Sequence, residues 1–122
     1  MAVNRKKCVL TIAGSDSGAG AGIQSDLKTF KNHGLYGLSV ITAVTAQNTK
    51  GVQSSYTLPH KAVLEQLKSV FSDFDIKAVK TGMLANDRII DIIAEVLNKE
   101  RNLKLIIDPV ILSKNKFVML NK

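Results

Sequence analysis

Cysteine, tryptophan and long apolar runs are scarce or absent in this sequence. Cys8 is the single cysteine among 122 residues, so no internal disulfide can form, and a lone thiol is typical of a reducing compartment such as the cytoplasm. No apolar run has the length of a transmembrane helix, and none follows the basic N-terminus as in a signal peptide. We therefore expect a cytoplasmic protein without a membrane partner.

Acidic residues are also few, which leaves a formal net charge of +7. Such a charge invites a nucleic-acid interpretation, but the 17 basic residues are scattered, and only Arg5, Lys6 and Lys7 form a run. Tryptophan is absent and aromatic residues make up 5% of the chain, so side chains for base stacking are few. The sequence predicts a solvated, lysine-rich surface that attracts anionic ligands, and no nucleic-acid partner.

Aliphatic residues are abundant, and their spacing predicts alternating strands and helices. Hydrophobic residues make up 45% of the chain, enough for the core of one domain. Apolar, β-rich runs predict strands at residues 7–13, 37–46, 77–81 and 103–108, with a further short strand possible near 52–57. Helical spacing predicts helices over residues 21–33, after Pro59, and after an N-cap at Asn86. This alternation is typical of an α/β fold with a mainly parallel sheet.

The residues best suited to bind a ligand follow the ends of the predicted parallel strands. In such sheets ligands bind at the carboxyl ends of the strands, so these segments are expected to face one crevice. The segments are Gly14 to Gly22, Gln47-Asn48, Gly82-Met83 and Asp108-Pro109-Val110.

The glycine-rich segment after the first strand has two possible interpretations. Gly18, Gly20 and Gly22 allow close backbone approach, and the helix that follows offers free N–H groups, which together suggest an anion site. A tight strand-to-helix turn without a ligand is the alternative. The segment is not a P-loop, and Ile23 stands where a dinucleotide-binding motif would have its third glycine.

Each other candidate residue also has an ordinary structural interpretation. Gln47 has a planar amide that can pair with an aminopyrimidine edge, or it is a solvated loop residue. The Asp108 carboxylate can bind Mg²⁺, or it caps a turn. Met83 and Val110 can wall a flat heterocycle, or they belong to the core. Patterns alone leave these alternatives open.

Taken together, the segments resemble one family. The stretch Ala13 to Phe30, which reads AGSDSGAGAGIQSDLKTF, resembles the N-terminal signature of the hydroxymethylpyrimidine/phosphomethylpyrimidine kinases of thiamine biosynthesis. Further segments resemble the same family; they read SVITA (39–43), AQNTKGVQ (46–53), VFSD (70–73), KTGML (80–84) and DPV (108–110).

The resemblance implies a ribokinase-like, three-layer fold. It also implies ATP-dependent, Mg²⁺-assisted phosphorylation of the pyrimidine alcohol and then of its monophosphate. By this resemblance the pyrimidine pocket is lined by Gly14, Ala21, Gln47, Met83 and Val110, with Gln47 as the polar anchor. The glycine-rich segment then approaches the substrate, and the phosphate-stabilising helix terminus lies later in the chain.

The resemblance also sets limits on this chain. Residues 1–122 correspond to the N-terminal, substrate-binding half of one kinase domain, and no catalytic residue of the family falls within them. We therefore expect a chain inactive alone, with an exposed sheet edge and a tendency to self-associate; the family implies a homo-oligomer. A pyridoxal kinase-like enzyme and a non-catalytic pyrimidine-binding or interaction fragment are the alternatives, although the stretch around Gln47 favours the aminopyrimidine.

Overall fold

A computed structural model of the chain describes residues 6–110 and 120–121. Strands and helices alternate through this part of the chain as the apolar periodicity predicts. The strands are β1 (Cys8–Asp16), β2 (Tyr36–Asn48), β3 (Gly51–Thr57), β4 (Ile76–Thr81), β5 (Ala85–Asn86), β6 (Lys104–Ile107) and β7 (Leu120–Asn121). The helices are α1 (Gly22–Asn32), α2 (His60–Asp73) and α3 (Asp87–Leu97).

The main sheet has the strand order β3-β2-β1-β4-β6 within the described residues. Strand β1 pairs in parallel with β2 and β4, and β4 pairs in parallel with β6. Strand β3 is antiparallel to β2. Strand β1 lies in the centre of the sheet and is buried along almost its whole length, as expected for a strand covered on both faces. The predicted α/β class with a mainly parallel sheet is confirmed.

Helices cover both faces of this sheet. Leu10 and Ile12 are fully buried and share a core cluster with residues of α2 and α3, such as Leu67 and Ile89. Thr11 points the opposite way, because successive side chains of a strand alternate between faces, and it contacts α1. The arrangement of helix, sheet and helix is the predicted three-layer fold.

Two strands extend further than the sequence predicts, and both extensions bear on the candidate site. Strand β1 continues to Asp16 and β2 continues to Asn48, whereas residues 14–16 and 47–48 were predicted as loop and turn. Pairing with neighbouring strands explains the difference, since Asp16 lies opposite Thr45 and Gln47 lies opposite Val52. Hydrogen bonding to the neighbouring strands outweighs the local preference of these short polar segments for a turn. Gln47 is therefore held in a strand.

Strand β6 exposes apolar side chains at the edge of the main sheet. Leu105, Ile106 and Ile107 are 46%, 62% and 64% exposed. Such an edge favours association with other apolar surfaces. The expected self-association of the chain stays a prediction. The short pairing of β5 with β7 was not predicted from the sequence.

The N-terminus of α3 is capped as predicted. The side-chain oxygen of Asn86 accepts a hydrogen bond of 3.0 Å from the backbone N–H of Ile89. We expect Asn86→Ala to lower the free energy of unfolding by about 1 kcal/mol, measured by urea denaturation, because one N–H of the first turn loses its partner. Asn86→Asp keeps the acceptor oxygen and serves as the control. Equal losses in both variants would contradict the capping role.

Cys8 lies in the core, as predicted, with 7% of its surface exposed. Burial, together with the negative charge of Asp75, raises the pKa of the Cys8 thiol above its usual value. A neutral thiol is a poor nucleophile. Cys8 also begins β1, at the opposite end of that strand from the carboxyl edge where ligands bind. Both observations argue against a catalytic role for this residue.

Candidate functional site

A cleft of about 590 Å³ lies at the carboxyl ends of β1, β2, β4 and β6. All six residues singled out from the sequence line it, although they come from four separate segments of the chain. They are Gly14, Ala21, Gln47, Met83, Asp108 and Val110. The expected convergence of the strand ends on one crevice is therefore present, while the binding role of each residue stays a prediction.

The buried wall of the cleft is built by Met83 against Gly14. Met83 is 6% exposed, and the hydroxyl of Thr42 donates a hydrogen bond of 2.6 Å to its backbone carbonyl oxygen. A Cβ atom at Gly14 would lie only 2.8 Å from the Met83 sulfur. The absence of a side chain at Gly14 thus lets Met83 take its place in the wall. Val110, which packs partly on the core, adds a second apolar surface.

The glycine-rich segment closes around the carboxylate of Asp16, which is 5% exposed. One carboxylate oxygen accepts the backbone N–H of Gly18 at 2.7 Å. The other accepts the N–H groups of Gly20 and Ala21 at 3.0 and 2.9 Å. These are the donors that a bound anion would need, so Asp16 takes the position of the anion. This pairing argues against an anion site at these three N–H groups.

Ser17 links the same segment to the end of β2 by hydrogen bonds. Its hydroxyl donates a hydrogen bond of 2.6 Å to the backbone oxygen of Gln47 and accepts one of 2.8 Å from the backbone N–H of Gln47. Because both bonds go to the same residue, Ser17 fixes the backbone from which the Gln47 side chain extends. The glycine-rich segment therefore supports the cleft through its contacts with neighbouring strands.

An ion pair that sequence reasoning missed lines the other side of the cleft. Lys80 of β4 and Asp26 of α1 are joined by a contact of 2.9 Å between Nζ and Oδ2, and their side chains are 22% and 19% exposed. Thr11 donates a further hydrogen bond of 2.6 Å to the same Asp26 oxygen. Lys80 is one of two lysines in the inner strand β4, and a charged residue so near the carboxyl end of such a strand was the available signal. Its partner is 54 positions away, so periodicity could not identify it.

Asp108 follows β6, and its side chain is exposed at the mouth of the cleft. Its backbone N–H donates a hydrogen bond of 3.0 Å to the carbonyl oxygen of Thr81, which fixes the start of this segment. Within residues 6–110 and 120–121 no three His, Cys, Asp or Glu side chains cluster as metal ligands. A Mg²⁺ role for Asp108 stays a prediction that needs oxygen ligands from elsewhere, such as phosphates.

Comparison with known proteins agrees with this fold. A model of the family described as phosphomethylpyrimidine kinase matches residues 16–122. The chain belongs to this family. The resemblance inferred from the sequence segments is thereby confirmed, and the three-layer fold is the ribokinase-like fold of these kinases.

Relatives and solved structures include proteins with the same family name. The chain is 50% identical over 116 residues to the hydroxymethylpyrimidine/phosphomethylpyrimidine kinase of Haemophilus influenzae, covering 95% of this chain and 43% of that protein. It is 54% identical to a thiamine biosynthetic bifunctional enzyme of Arabidopsis thaliana, covering 91% of this chain and 21% of that protein. The crystal structure of phosphomethylpyrimidine kinase from Clostridium difficile superimposes with a TM-score of 0.86 at 51% identity, covering 95% of this chain and 50% of that one.

Pyridoxal kinases share the fold at lower identity. The pyridoxal kinase of Staphylococcus aureus in complex with pyridoxal gives a TM-score of 0.81 at 38% identity, covering 89% of this chain and 41% of that chain. The higher identity to the pyrimidine kinases agrees with the expectation from the stretch around Gln47, which favours an aminopyrimidine over pyridoxal as the substrate. The chain spans about half the length, or less, of the relatives and structures that it matches. Among the residues that the structure describes, no helix is both long and apolar enough to cross a membrane.

Proposed function

We propose that this chain forms the pyrimidine-binding part of an ATP-dependent kinase of thiamine biosynthesis. The substrates are 4-amino-5-hydroxymethyl-2-methylpyrimidine and its monophosphate. The observation that carries this proposal is that the residues which the resemblance assigns to the pyrimidine pocket converge on one cleft, in a chain that belongs to this family. They are Gly14, Ala21, Gln47, Met83 and Val110.

The chemistry of the cleft suits a flat aminopyrimidine. Met83 and Val110 offer apolar surface for the ring faces, and Gly14 and Ala21 leave room beside them. Gln47 has a planar amide at the cleft, which can hydrogen-bond to the edge of an aminopyrimidine. A few polar groups in an apolar cleft fix the orientation of a ligand.

Transfer of a phosphoryl group needs further groups to bind the nucleotide and stabilise the developing charge. Three N–H groups of the glycine-rich segment, those of Gly18, Gly20 and Ala21, are not available for this purpose, because they donate to Asp16. We propose that residues 1–122 form the N-terminal substrate-binding half of a kinase domain, inactive alone, and that the other half carries the nucleotide site. Relatives about twice as long support this division.

ATP is the proposed phosphoryl donor, in keeping with the solved complexes of the Staphylococcus aureus pyridoxal kinase with ADP and with AMP-PCP. Mg²⁺ would neutralise charge on the phosphates when bound. Asp108 would hold it by one carboxylate, since Mg²⁺ in kinase sites is usually bound by one or two carboxylates and phosphate oxygens.

We further propose that the protein works in the cytoplasm as a homo-oligomer. A cytoplasmic location is supported by its single, unpaired cysteine, which suits a reducing environment. A homo-oligomer is supported by the family resemblance, whereas the exposed apolar side chains of β6 lie where the other half of the proposed domain would pack. Sedimentation velocity over a range of protein concentrations measures the oligomeric state directly.

Calorimetric titration of the chain with hydroxymethylpyrimidine tests the proposed binding function. We expect wild-type protein to bind it more tightly than pyridoxal, and Gln47→Ala to weaken binding of hydroxymethylpyrimidine about tenfold or more, because the ring edge loses its hydrogen-bonding partner in a partly desolvated cleft. Asn98→Ala, which removes an exposed amide after α3, is the control and should leave affinity unchanged. A folded wild-type chain that binds neither compound would refute the proposal, and tighter binding of pyridoxal would favour the pyridoxal kinase alternative.

A further inference from the structure

The buried hydroxyl of Thr45 contacts two groups at the edge of the cleft, only one of which can receive its hydrogen. Thr45 is 3% exposed. Its Oγ1 lies 2.7 Å from the backbone carbonyl oxygen of Ser15 and 3.0 Å from the nearest amide atom of Gln47, assigned as Oε1. A hydroxyl has one hydrogen, whereas a backbone carbonyl oxygen can only accept. The hydrogen of Thr45 therefore goes to Ser15, which is also the shorter contact.

This leaves only lone pairs of Thr45 facing the Gln47 amide. If the amide atom at 3.0 Å were Oε1, two acceptors without a shared hydrogen would face each other in a partly buried position. Rotation of the amide by 180° places Nε2 there, with almost the same shape and a hydrogen to donate. The complete chain of bonds then runs from Gln47 Nε2 to Thr45 and from Thr45 to Ser15, and every member has a partner.

We propose that Thr45 sets the orientation of the Gln47 side chain, directing Nε2 towards Thr45 and presenting Oε1 to the cleft. Thr45 is thus a positioning residue that determines specificity through Gln47. Within the described residues the outward amide atom has no protein partner, so it is the atom that a ligand meets.

The orientation has a consequence for ligand choice, which rests on the proposed function of the cleft. An acceptor oxygen favours a ring that carries an N–H donor, such as the 4-amino group, over a ring of the same shape without one. Thr45 therefore selects the aminopyrimidine by making Gln47 an acceptor. An amide free to rotate would present oxygen or nitrogen and would discriminate less.

The orientation itself is tested without any ligand by NMR of the ¹⁵N-labelled chain. We expect nuclear Overhauser contacts between the Gln47 Nε2 hydrogens and the Thr45 side chain, together with slowed exchange of one of these hydrogens with water. Thr45→Ser keeps the hydroxyl and should retain the slow exchange, whereas in Thr45→Val exchange should accelerate about tenfold. An Nε2 group in wild-type protein that exchanges freely and lacks contacts to Thr45 would overturn the proposal, whether or not the variants fold.

Ligand choice is tested by calorimetry with hydroxymethylpyrimidine and an analogue in which a methyl group replaces the 4-amino group. We expect the ratio of the two affinities to fall about fivefold in Thr45→Val and to stay within twofold of wild type in Thr45→Ser. An unchanged ratio in folded Thr45→Val would overturn the role in specificity. If the NMR contacts are present but wild-type protein binds neither compound, the amide orientation stands, while the role in specificity and the proposed pyrimidine-binding function both fail.

Discussion

Replacing Asp16 by alanine is expected to lower the free energy of unfolding by about 3 kcal/mol or more and to abolish measurable pyrimidine binding. The carboxylate accepts three backbone N–H groups, from Gly18, Gly20 and Ala21, and is almost fully buried. Each N–H left without a partner costs roughly 1–3 kcal/mol, less where water enters. Because a domain has only about 5–15 kcal/mol of stability in total, such a loss is large.

The loss of binding follows from what the carboxylate organises. Ala21 lines the cleft, and Ser17 lies in the same segment and fixes the backbone of Gln47. Without Asp16 the segment has no anion to hold its N–H groups together, and both contacts lose their positions. Urea denaturation measures the first effect and calorimetric titration the second.

Asp91→Ala is the matched control for this experiment. Asp91 is an exposed carboxylate on α3, away from the cleft, and its removal should change stability by no more than about 0.5 kcal/mol. If Asp16→Ala changed stability and affinity as little as Asp91→Ala does, the hydrogen bonds of the Asp16 carboxylate would be unimportant. Restoration of folding of Asp16→Ala by sulfate would support the interpretation that Asp16 stands in for a bound anion.

The second large effect is expected at Gly22, the first residue of α1. Gly22 has a φ of +60°, and a Cβ atom there would overlap the backbone carbonyl oxygen of Gly14. We expect Gly22→Ala to lower the free energy of unfolding by about 4 kcal/mol, because backbone strain and a contact with rigid backbone act together. A displaced Gly14 would also disturb Met83, which packs against it in the cleft wall, so pyrimidine binding should weaken as well. Urea denaturation and titration measure the two effects.

Gly34→Ala separates the two causes. Gly34 also has a positive φ, of +71°, but no atom lies within 4 Å of a Cβ placed there. Alanine at this position should therefore cost only the backbone term, about 1–2 kcal/mol. Similar losses of stability at Gly22 and Gly34 would mean that α1 shifts easily away from β1, contrary to the close approach of Gly22 to the Gly14 backbone.

Local patterns predicted most of the secondary structure correctly because each element buries one side or one stripe. Ile89 and Ile93, spaced four residues apart, predict the buried face of α3, and Asn86 marks its start. The same reasoning was less accurate where segments pair at a distance. The extension of β2 through Gln47 depends on β3, whose pairing energy no local propensity contains.

In the candidate site, too, some features follow from local sequence and others depend on contacts between distant segments. The sequence by itself determined the family, the α/β class and the strand ends that bear Gly14, Gln47 and Met83, because these follow from local motifs and from the geometry of parallel sheets.

Only the tertiary structure decided what each group contacts. It placed Asp16 among the N–H groups of its own loop, joined Lys80 to Asp26, and set Thr45 between Ser15 and Gln47. The physical reason is that a hydrogen bond or ion pair depends on distances of a few ångströms between segments far apart in the chain, which residue spacing does not fix.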